Sequence, residues 1–420
     1  MSESSYRRIL CLSLFAAMAA CAASQDKTDP GAELDAGIGQ DAVDTVADTP
    51  VEPVLTADQV LSPGPFHSGF IKLDLVDATR PTSANGDYPG ADSRTLSTVI
   101  WFPTNDTPTD PSGWVENATP VTDGGPWPLV VYNHGFMSNN HENDDLAALL
   151  ATRGYLVAAA LFPLTNTLAP GNPNAADVIN QPGDVSFVID QLLARSSDPG
   201  DTLHDMIDPD RIGLMGVSLG ALTSLVTAFH DDYRDPRVKM VAGAAAPGCY
   251  LADGFFDNAD LPVMLVHGTM DEIVTYAENG PPTYEAAHPP KFLVTMEGGT
   301  HTALAGLALG MTSQFPNPDQ MGCTAMEGNE SVSAETLAVM SEDFGGKDHD
   351  SAMSQCPAPC AEADDFPPAM KAEREIRIVY LAFVSFTEAY LGGDQRYLRY
   401  LADGLDPPND DVTVLMDMGQ

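Results

Sequence analysis

Apolar and polar positions along the chain predict a sheet whose strands are separated by helices. Phe70 to Val76 and Thr95 to Phe102 alternate between apolar and polar side chains, which predicts two antiparallel strands. Continuous apolar runs predict buried parallel strands at six further places. These runs are Trp127 to Tyr132, Tyr155 to Leu161, Arg211 to Met215, Val238 to Ala245, Leu261 to Val266 and Lys291 to Met296.

Helical patterns lie between and after these strands. Helices are predicted from Asp144 to Arg153, from Ala176 to Leu193 with an interruption near Pro182, and from Glu373 to Tyr390. The last is apolar around much of its circumference, which predicts burial against the sheet, and its Glu375 and Arg377 are interpreted as ordinary helix-face charges. The alternation predicts an α/β fold with a mostly parallel central sheet, antiparallel N-terminal strands and helices on both faces.

A serine occupies a sharp turn between the strand Arg211 to Met215 and a helical stretch. The turn is Gly216-Val217-Ser218-Leu219-Gly220. A strand-turn-helix of this kind strains the backbone of the serine and leaves room only for small neighbours, here Gly216 and Gly220. The turn lifts the hydroxyl above the sheet edge, so Ser218 is the predicted nucleophile.

A serine nucleophile needs a base, and the base needs an acid that orients it. Asp271 and His301 each lie in a loop just after a predicted strand. Open α/β sheets place their chemistry in the loops past the carboxyl ends of their strands. We therefore predict that Ser218 attacks an acyl carbon, His301 transfers the proton and Asp271 holds the imidazole tautomer.

Neighbouring residues are weaker candidates for these roles. The side chain of Glu272, adjacent to Asp271, is expected to point elsewhere. Asp257 and Asp260 precede the strand Leu261 to Val266, so they lie at its amino end, away from the site predicted at the carboxyl ends. His267 ends a buried strand, which favours a structural, hydrogen-bonded histidine.

The loop after Trp127 to Tyr132 is expected to complete the site. It contains Asn133-His134-Gly135-Phe136. A loop in this position supplies the second donor of an oxyanion hole, so we predict that the N–H groups of Phe136 and Leu219 act together. His134 is predicted to pin this loop.

Together these motifs resemble the α/β-hydrolase superfamily, and within it the platelet-activating-factor acetylhydrolase and dienelactone-hydrolase-like group. The resemblance covers roughly residues 64 to 305. Besides the serine turn it includes Asp77 to Thr82, Ser93 to Leu96, Val99 to Pro103, His134 to Phe136, Gln181 to Phe187, Gly268 to Asp271 and Gly299 to His301. It implies an α/β-hydrolase fold and hydrolysis of carboxylic esters of lipid, short-chain or polyester type.

Charge narrows the range of partners. The chain has 420 residues and a formal net charge of −41. Such an acidic surface argues against binding to nucleic acid and to anionic membranes, and it favours neutral or zwitterionic esters. The sequence has no P-loop and no dinucleotide fingerprint, so no cofactor is predicted. No metal is predicted either, because Asp348-His349-Asp350 is interpreted as a solvated loop.

The N-terminus predicts export. Arg7 and Arg8 precede an apolar run from Ile9 to Ala20, which is too short to span a bilayer and typical of a signal peptide over residues 1–20. The run ends in Met18-Ala19-Ala20-Cys21, which resembles a bacterial lipobox. The resemblance implies a lipid on Cys21 and an outer-membrane location, with secreted or periplasmic protein as the alternative.

Three further segments are predicted after the signal peptide. Residues 21–62 are rich in acidic residues and contain no aromatic residue, which predicts a disordered tether. Residues 63–405 form the hydrolase domain, and residues 406–420 form a C-terminal tail. Within the domain, residues 302–368 are either a flexible apolar flap or a disulfide-pinned surface insertion. The apolar residues of such a flap are Met311, Phe315, Met321 and Met326.

Four cysteines outside the export region predict two disulfides in an exported protein. They are Cys249, Cys323, Cys356 and Cys360, which permit three pairings. The short turn Pro357-Ala358-Pro359 favours Cys356–Cys360, which leaves Cys249–Cys323.

The prediction is an exported serine ester hydrolase that touches the membrane only through its lipid. Its substrate would be a small-molecule, lipid or polymer ester. One alternative is a non-catalytic binding lipoprotein on a hydrolase scaffold, but both Ser218 and His301 are present. The other is a serine enzyme that cleaves amides or transfers acyl groups, but no accessory propeller domain is visible in the sequence.

Overall fold

The computed structural model describes residues 54–109, 113–333, 356–361, 363, 365–405 and 410–419. The predicted signal peptide, Cys21 and most of the predicted tether lie outside these residues, as does Asp348-His349-Asp350.

One sheet runs through the described chain. Its strands are β1 (His67–Asp77), β2 (Arg94–Thr104), β3 (Trp114–Glu116), β4 (Trp127–Asn133), β5 (Leu156–Leu161), β6 (Ile207–Val217), β7 (Val238–Ala244), β8 (Val263–Gly268), β9 (Lys291–Met296) and β10 (Val412–Asp417). Their order in space is β10-β9-β8-β7-β6-β4-β5-β2-β1-β3. Strands β9 through β5 are parallel, whereas β2 pairs antiparallel with both β5 and β1. The predicted mostly parallel sheet with antiparallel N-terminal strands is confirmed.

Helices cover both faces of this sheet. They are α1 (Ala57–Val60), α2 (Asp144–Thr152), α3 (Gln181–Ser197), α4 (Leu219–Phe229), α5 (Tyr276–Ala286), α6 (Leu309–Thr312), α7 (Asp319–Met326), α8 (Ala372–Tyr390) and α9 (Gln395–Ala402). The core on one face contains α3 and α4, and the core on the other contains α2, α8 and α9. Leu129 and Val131 of β4 point into the first core while Val130 and Tyr132 point into the second. This period-2 alternation explains why the central strands are apolar on both sides.

A buried ion-pair network fastens the antiparallel N-terminal strands to α3. Arg94, fully buried at the start of β2, donates from Nε to Asp184 at 2.7 Å and from Nη2 to Asp177 at 2.6 Å. Arg80 donates to the same Asp184 at 2.8 Å. Because a buried charge is costly without a partner, removing one member would leave the others uncompensated. The network explains why the sequence motifs around Arg80, Arg94 and Asp184 contain charged residues.

Two predicted boundaries differ from the structure. Val412–Asp417 pairs antiparallel with β9 as β10, so the prediction of a C-terminal tail is wrong for these residues. The strand covers what would be an exposed edge of the sheet, which is a common way to protect such an edge. The tether boundary at 62 is also too late, because Ala57 and Val60 of α1 are buried.

No helix in the described part of the chain is long and apolar enough to cross a membrane.

Candidate active site

The serine turn has the strained geometry that its sequence predicts. Ser218 adopts φ 56° and ψ −123°, a backbone conformation that residues other than glycine rarely adopt. A Cβ on Gly220 would lie 1.9 Å from the carbonyl oxygen of Asn133, and one on Gly216 would lie 2.4 Å from the carbonyl of Gly220. Glycine is therefore required at both positions, because the end of β4 lies against Gly220 and the turn brings the backbone of Gly220 against Gly216.

The three candidate catalytic side chains form one hydrogen-bonded chain. Nε2 of His301 lies 2.8 Å from Oγ of Ser218, and Nδ1 of His301 lies 2.8 Å from Oδ2 of Asp271. Ser218 follows β6, Asp271 follows β8 and His301 follows β9. The structure thus brings the three residues together at the carboxyl ends of parallel strands.

Asp271 is buried and ionised. Its Oδ1 accepts the backbone N–H groups of Ile273 at 3.0 Å and Val274 at 2.7 Å. Burial would raise the pKa of Asp271, but the charge on His301 and hydrogen bonds from His267 and His301 hold it well below its usual range. The carboxylate can therefore accept a hydrogen bond from Nδ1–H of His301.

His301 is buried and its pKa is raised. Burial alone would lower the pKa of this imidazole, but the negative charge of Asp271 and the hydrogen bond to it raise the value above the ordinary 6.5. Asp319 and Glu142 add to the rise through their charges. The site therefore stabilises the imidazolium that forms when His301 takes a proton.

The predicted oxyanion donors border the same cavity as Ser218 and His301. Phe136 and Leu219 both line it. Leu219 is the first residue of α4, so its N–H has no carbonyl four residues earlier within the helix to bind. The loop of Phe136 lies close to the serine, since a Cβ on Gly135 would be 3.5 Å from Cβ of Ser218.

Two buried side chains hold that loop in place. The backbone N–H of Gly135 donates to Oε1 of Glu142 at 3.0 Å. His134 accepts the N–H of Phe162 on Nε2 at 3.1 Å, and its Nδ1 lies 2.8 Å from the carbonyl oxygen of Gly135. Burial lowers the pKa of His134 to about 4, so the ring is neutral near pH 7. The predicted pinning role of His134 agrees with these contacts.

His267 is also held by structural contacts. Its Nε2 lies 2.7 Å from the carbonyl oxygen of Val274 and 3.4 Å from Oδ2 of Asp271. The ring therefore supports the acid loop, as expected for a structural histidine.

Three buried acids near the site have no sequence motif and were not predicted. Glu142 holds the loop of Phe136, Asp319 contacts the His301 loop, and Glu375 accepts the N–H of Thr300 at 2.7 Å. The interpretation of Glu375 as an ordinary helix-face charge is wrong, because this residue is fully buried. Only its position on the apolar side of a long helix could have indicated this.

A cavity of about 450 Å³ opens beside Ser218. Its lining is mainly apolar and includes Phe136, Met137, Leu219, Tyr250, Ile273 and Val274. Met311, Met321 and Met326 of the segment after His301 also line it, whereas Phe315 is exposed and does not. The segment thus forms one wall of the cavity; its proposed motion as a flap stays a prediction.

Both predicted disulfides form, but in a different pairing. Cys249 is bonded to Cys356 and Cys323 to Cys360, each with 5.8 Å between Cα atoms. The predictions of Cys356–Cys360 and Cys249–Cys323 are both wrong, because the peptide from Cys356 to Cys360 connects Cys249, which follows β7, with Cys323 in α7. The N–H of Cys360 also donates to the carbonyl of Glu272 at 2.8 Å. Pro357 and Pro359 are thereby held in the cavity wall.

Among the described residues, no group of three or more histidine, cysteine or acidic side chains is placed to hold a metal ion.

Comparisons with known proteins agree with this fold and chemistry. Residues 160–302, about a third of the chain, match the model of the phospholipase/carboxylesterase family. A ferulic acid esterase from Streptomyces cinnamoneus has a similar structure, with a TM-score of 0.56, 20% identity, and coverage of 85% of this chain and 98% of that chain. No curated protein matches the chain.

The fold and the match over residues 160–302 support a hydrolase of the carboxylesterase type. The chain has the fold of the α/β-hydrolases, and its residues 160–302 are similar to the phospholipase/carboxylesterase family, which confirms the resemblance at the level of the fold.

Proposed function

We propose that this protein is an exported serine hydrolase that cleaves uncharged carboxylic esters with apolar acyl groups. Ser218 would be the nucleophile, His301 the general base and acid, and Asp271 the residue that orients the imidazole. The observation that carries the proposal is the chain of two 2.8 Å contacts from Ser218 through His301 to Asp271, at the wall of an apolar cavity.

The contacts support one direction of proton transfer. With Nδ1–H hydrogen-bonded to the carboxylate of Asp271, Nε2 of His301 accepts the hydroxyl proton as Oγ of Ser218 bonds to the acyl carbon. The tetrahedral intermediate then expels the alcohol, which leaves with the proton from Nε2. Water repeats the sequence on the acyl-enzyme and releases the carboxylic acid.

The developing oxyanion needs donors that are already oriented. The N–H groups of Phe136 and Leu219 are the candidates, because both residues line the cavity beside Ser218. The Gly135 N–H is excluded from this role since it donates to Glu142.

The cavity lining supports the choice of substrate. None of the described residues that line it is lysine or arginine, and Glu142 brings a buried carboxyl group. A carboxylate on the acyl group would thus find no cationic partner. A volume of about 450 Å³ accommodates a medium alkyl chain or a phenylpropenoyl group. The ferulic acid esterase neighbour makes the second of these worth testing.

A substrate panel tests the proposal. We expect p-nitrophenyl butyrate and octanoate to be hydrolysed, with methyl ferulate, a phospholipid and a polyester film defining the range of alcohols and acids. A p-nitroanilide of the same acyl group measures amide cleavage. Binding of esters without turnover would contradict the proposal and favour the non-catalytic alternative.

The rate should fall at acid pH. Only neutral imidazole accepts the serine proton, and the pKa of His301 is raised by Asp271. As pH decreases through that raised value the base becomes protonated, so kcat/KM should be lost from a pH above 6.5, the ordinary histidine value. Stopped assays of kcat/KM between pH 5 and 9 would show this, and a flat profile would contradict a histidine base.

Attachment to a membrane rests on Cys21, which lies outside the described residues. We expect full-length protein made in a bacterial host to partition into the detergent phase, because a lipid with several acyl chains on Cys21 anchors it stably. Cys21→Ser removes the attachment site, so this variant should partition into the aqueous phase. Mass spectrometry of the N-terminus identifies the lipid. Soluble wild-type protein with a different N-terminus would contradict the anchor and leave the hydrolase proposal intact.

A further inference from the structure

A fully buried carboxylate lies behind the candidate base, outside the Ser-His-Asp chain. Asp319, the first residue of α7, is 0% exposed. Its Oδ1 accepts the N–H of Thr302 at 2.7 Å, the hydroxyl of Thr302 at 2.7 Å and the N–H of His301 at 3.0 Å. Its Oδ2 accepts the N–H of Glu272 at 3.0 Å and shares the His301 N–H at 3.1 Å.

These contacts join two loops that come from different strands. Glu272 directly follows Asp271 in the loop after β8, while His301 and Thr302 lie in the loop after β9. The distance between the acid and the base depends on how these loops lie relative to each other. A single carboxylate that accepts hydrogen bonds from both loops therefore fixes that distance.

Asp319 also connects the loops to the cavity wall. It begins α7, whose Met321 and Met326 line the cavity and whose Cys323 is disulfide-bonded to Cys360. Asp319 therefore attaches α7 to the two loops by hydrogen bonds, and the disulfide ties α7 to Cys360, whose N–H donates to the carbonyl of Glu272 in the same acid loop.

We propose that Asp319 is a positioning residue, which holds the Asp271 loop against the His301 loop and places a second negative charge behind the imidazole. This inference rests on the proposed role of His301 as the catalytic base.

The charges around His301 make the proposal measurable. Asp271, Asp319 and Glu142 face His301, and each raises its pKa. Asp319 in turn faces Asp271, His301 and Glu375. Burial and the charge of Asp271 raise the pKa of Asp319 above its ordinary value, although the three backbone N–H groups that donate to its oxygens favour the ionised form.

The neighbouring Glu375 provides a matched control. It is equally buried and holds Thr300, the residue before His301. Burial raises the pKa of Glu375 to about 9, so this side chain is neutral near pH 7. Glu375→Gln therefore replaces a neutral group by a neutral group of the same shape, whereas Asp319→Asn removes a charge.

The experiment measures kcat and the pH profile of kcat/KM for p-nitrophenyl butyrate, with thermal unfolding by circular dichroism to verify folding. We expect Asp319→Asn to lower kcat about 10- to 100-fold, because a misplaced base costs rates of this order. Its acid limb should move to lower pH, since the charge that raises the pKa of His301 is lost. Glu375→Gln should leave the acid limb where it is.

Asp319→Glu separates position from charge. The longer side chain keeps the negative charge but displaces the loops, so kcat should fall while the acid limb stays near that of the wild type. If Asp319→Asn does not fold, this variant decides the question, and wild-type kcat in it would overturn the proposal.

Folded Asp319→Asn with an unchanged acid limb would also overturn the proposal, because it would indicate a structural role only. Failure of the proposed function is a different result. In that case wild-type protein has no esterase activity, or Ser218→Ala retains it.

Discussion

Replacing Ser218 by alanine should lower kcat for p-nitrophenyl butyrate by a factor on the order of 10⁴ to 10⁶. The substitution removes the only atom that can bond to the acyl carbon in the proposed mechanism, and His301 then has no hydroxyl to deprotonate. The fold should remain intact, because alanine differs from serine only in lacking the hydroxyl group. Single-turnover assays with purified variant and wild type, at matched concentration, measure the difference.

A surface serine provides the control. Ser197, at the end of α3, donates its hydroxyl to the carbonyl of Leu193 and is exposed. Ser197→Ala should hydrolyse the ester at the wild-type rate. If Ser218→Ala keeps more than a few per cent of the wild-type activity, a different nucleophile is responsible.

Replacing Asp271 by asparagine should lower kcat by a factor on the order of 10⁴. Asparagine can direct its amide N–H₂ group toward Nδ1 of His301, which then acts as an acceptor and leaves the proton on Nε2. In that tautomer the ring cannot take the proton of Ser218. The contacts of Oδ1 with the N–H groups of Ile273 and Val274 favour this orientation of the amide, because they are best accepted by the remaining oxygen.

Glu272→Gln is the matched control, since it makes the same carboxylate-to-amide change in the adjacent acid. Its backbone N–H, which binds Asp319, is unaffected by the substitution. We expect at most a few-fold change in kcat. A severe loss in Glu272→Gln together with a mild one in Asp271→Asn would show that the acid is Glu272.

The candidate residues that sequence reasoning located share a local signal. Ser218 lies in a turn whose steric demands involve only a few consecutive residues, so Gly216 and Gly220 are visible in the sequence itself. Asp271 and His301 lie immediately after apolar strands, and the direction of a parallel sheet places all such loops at one edge. The order of elements and the alternation within β1 and β2 were predictable for the same reason, since their hydrophobic periods are local.

Other features depend on contacts between distant parts of the chain. In the sequence, nothing distinguishes Asp319 from the many other acidic residues. Only folding brings its carboxylate within hydrogen-bonding distance of the backbone N–H groups of His301 and Glu272. The burial of Glu375 follows from the packing of α8 on the sheet. The edge strand β10 was predicted as a tail because a short strand is recognisable mainly by the β9 partner it pairs with.

The sequence by itself determined the class of fold, the strained serine turn and the order of the candidate acid and base, because these follow from local periodicity and local sterics. Only the tertiary structure decided how the four cysteines pair, since three pairings satisfy the same spacing and the choice depends on which elements face the peptide from Cys356 to Cys360. It also decided which acids are buried behind His301. A carboxyl group is charged, neutral or hydrogen-bonded according to what surrounds it in space, and its position in the chain does not specify those surroundings.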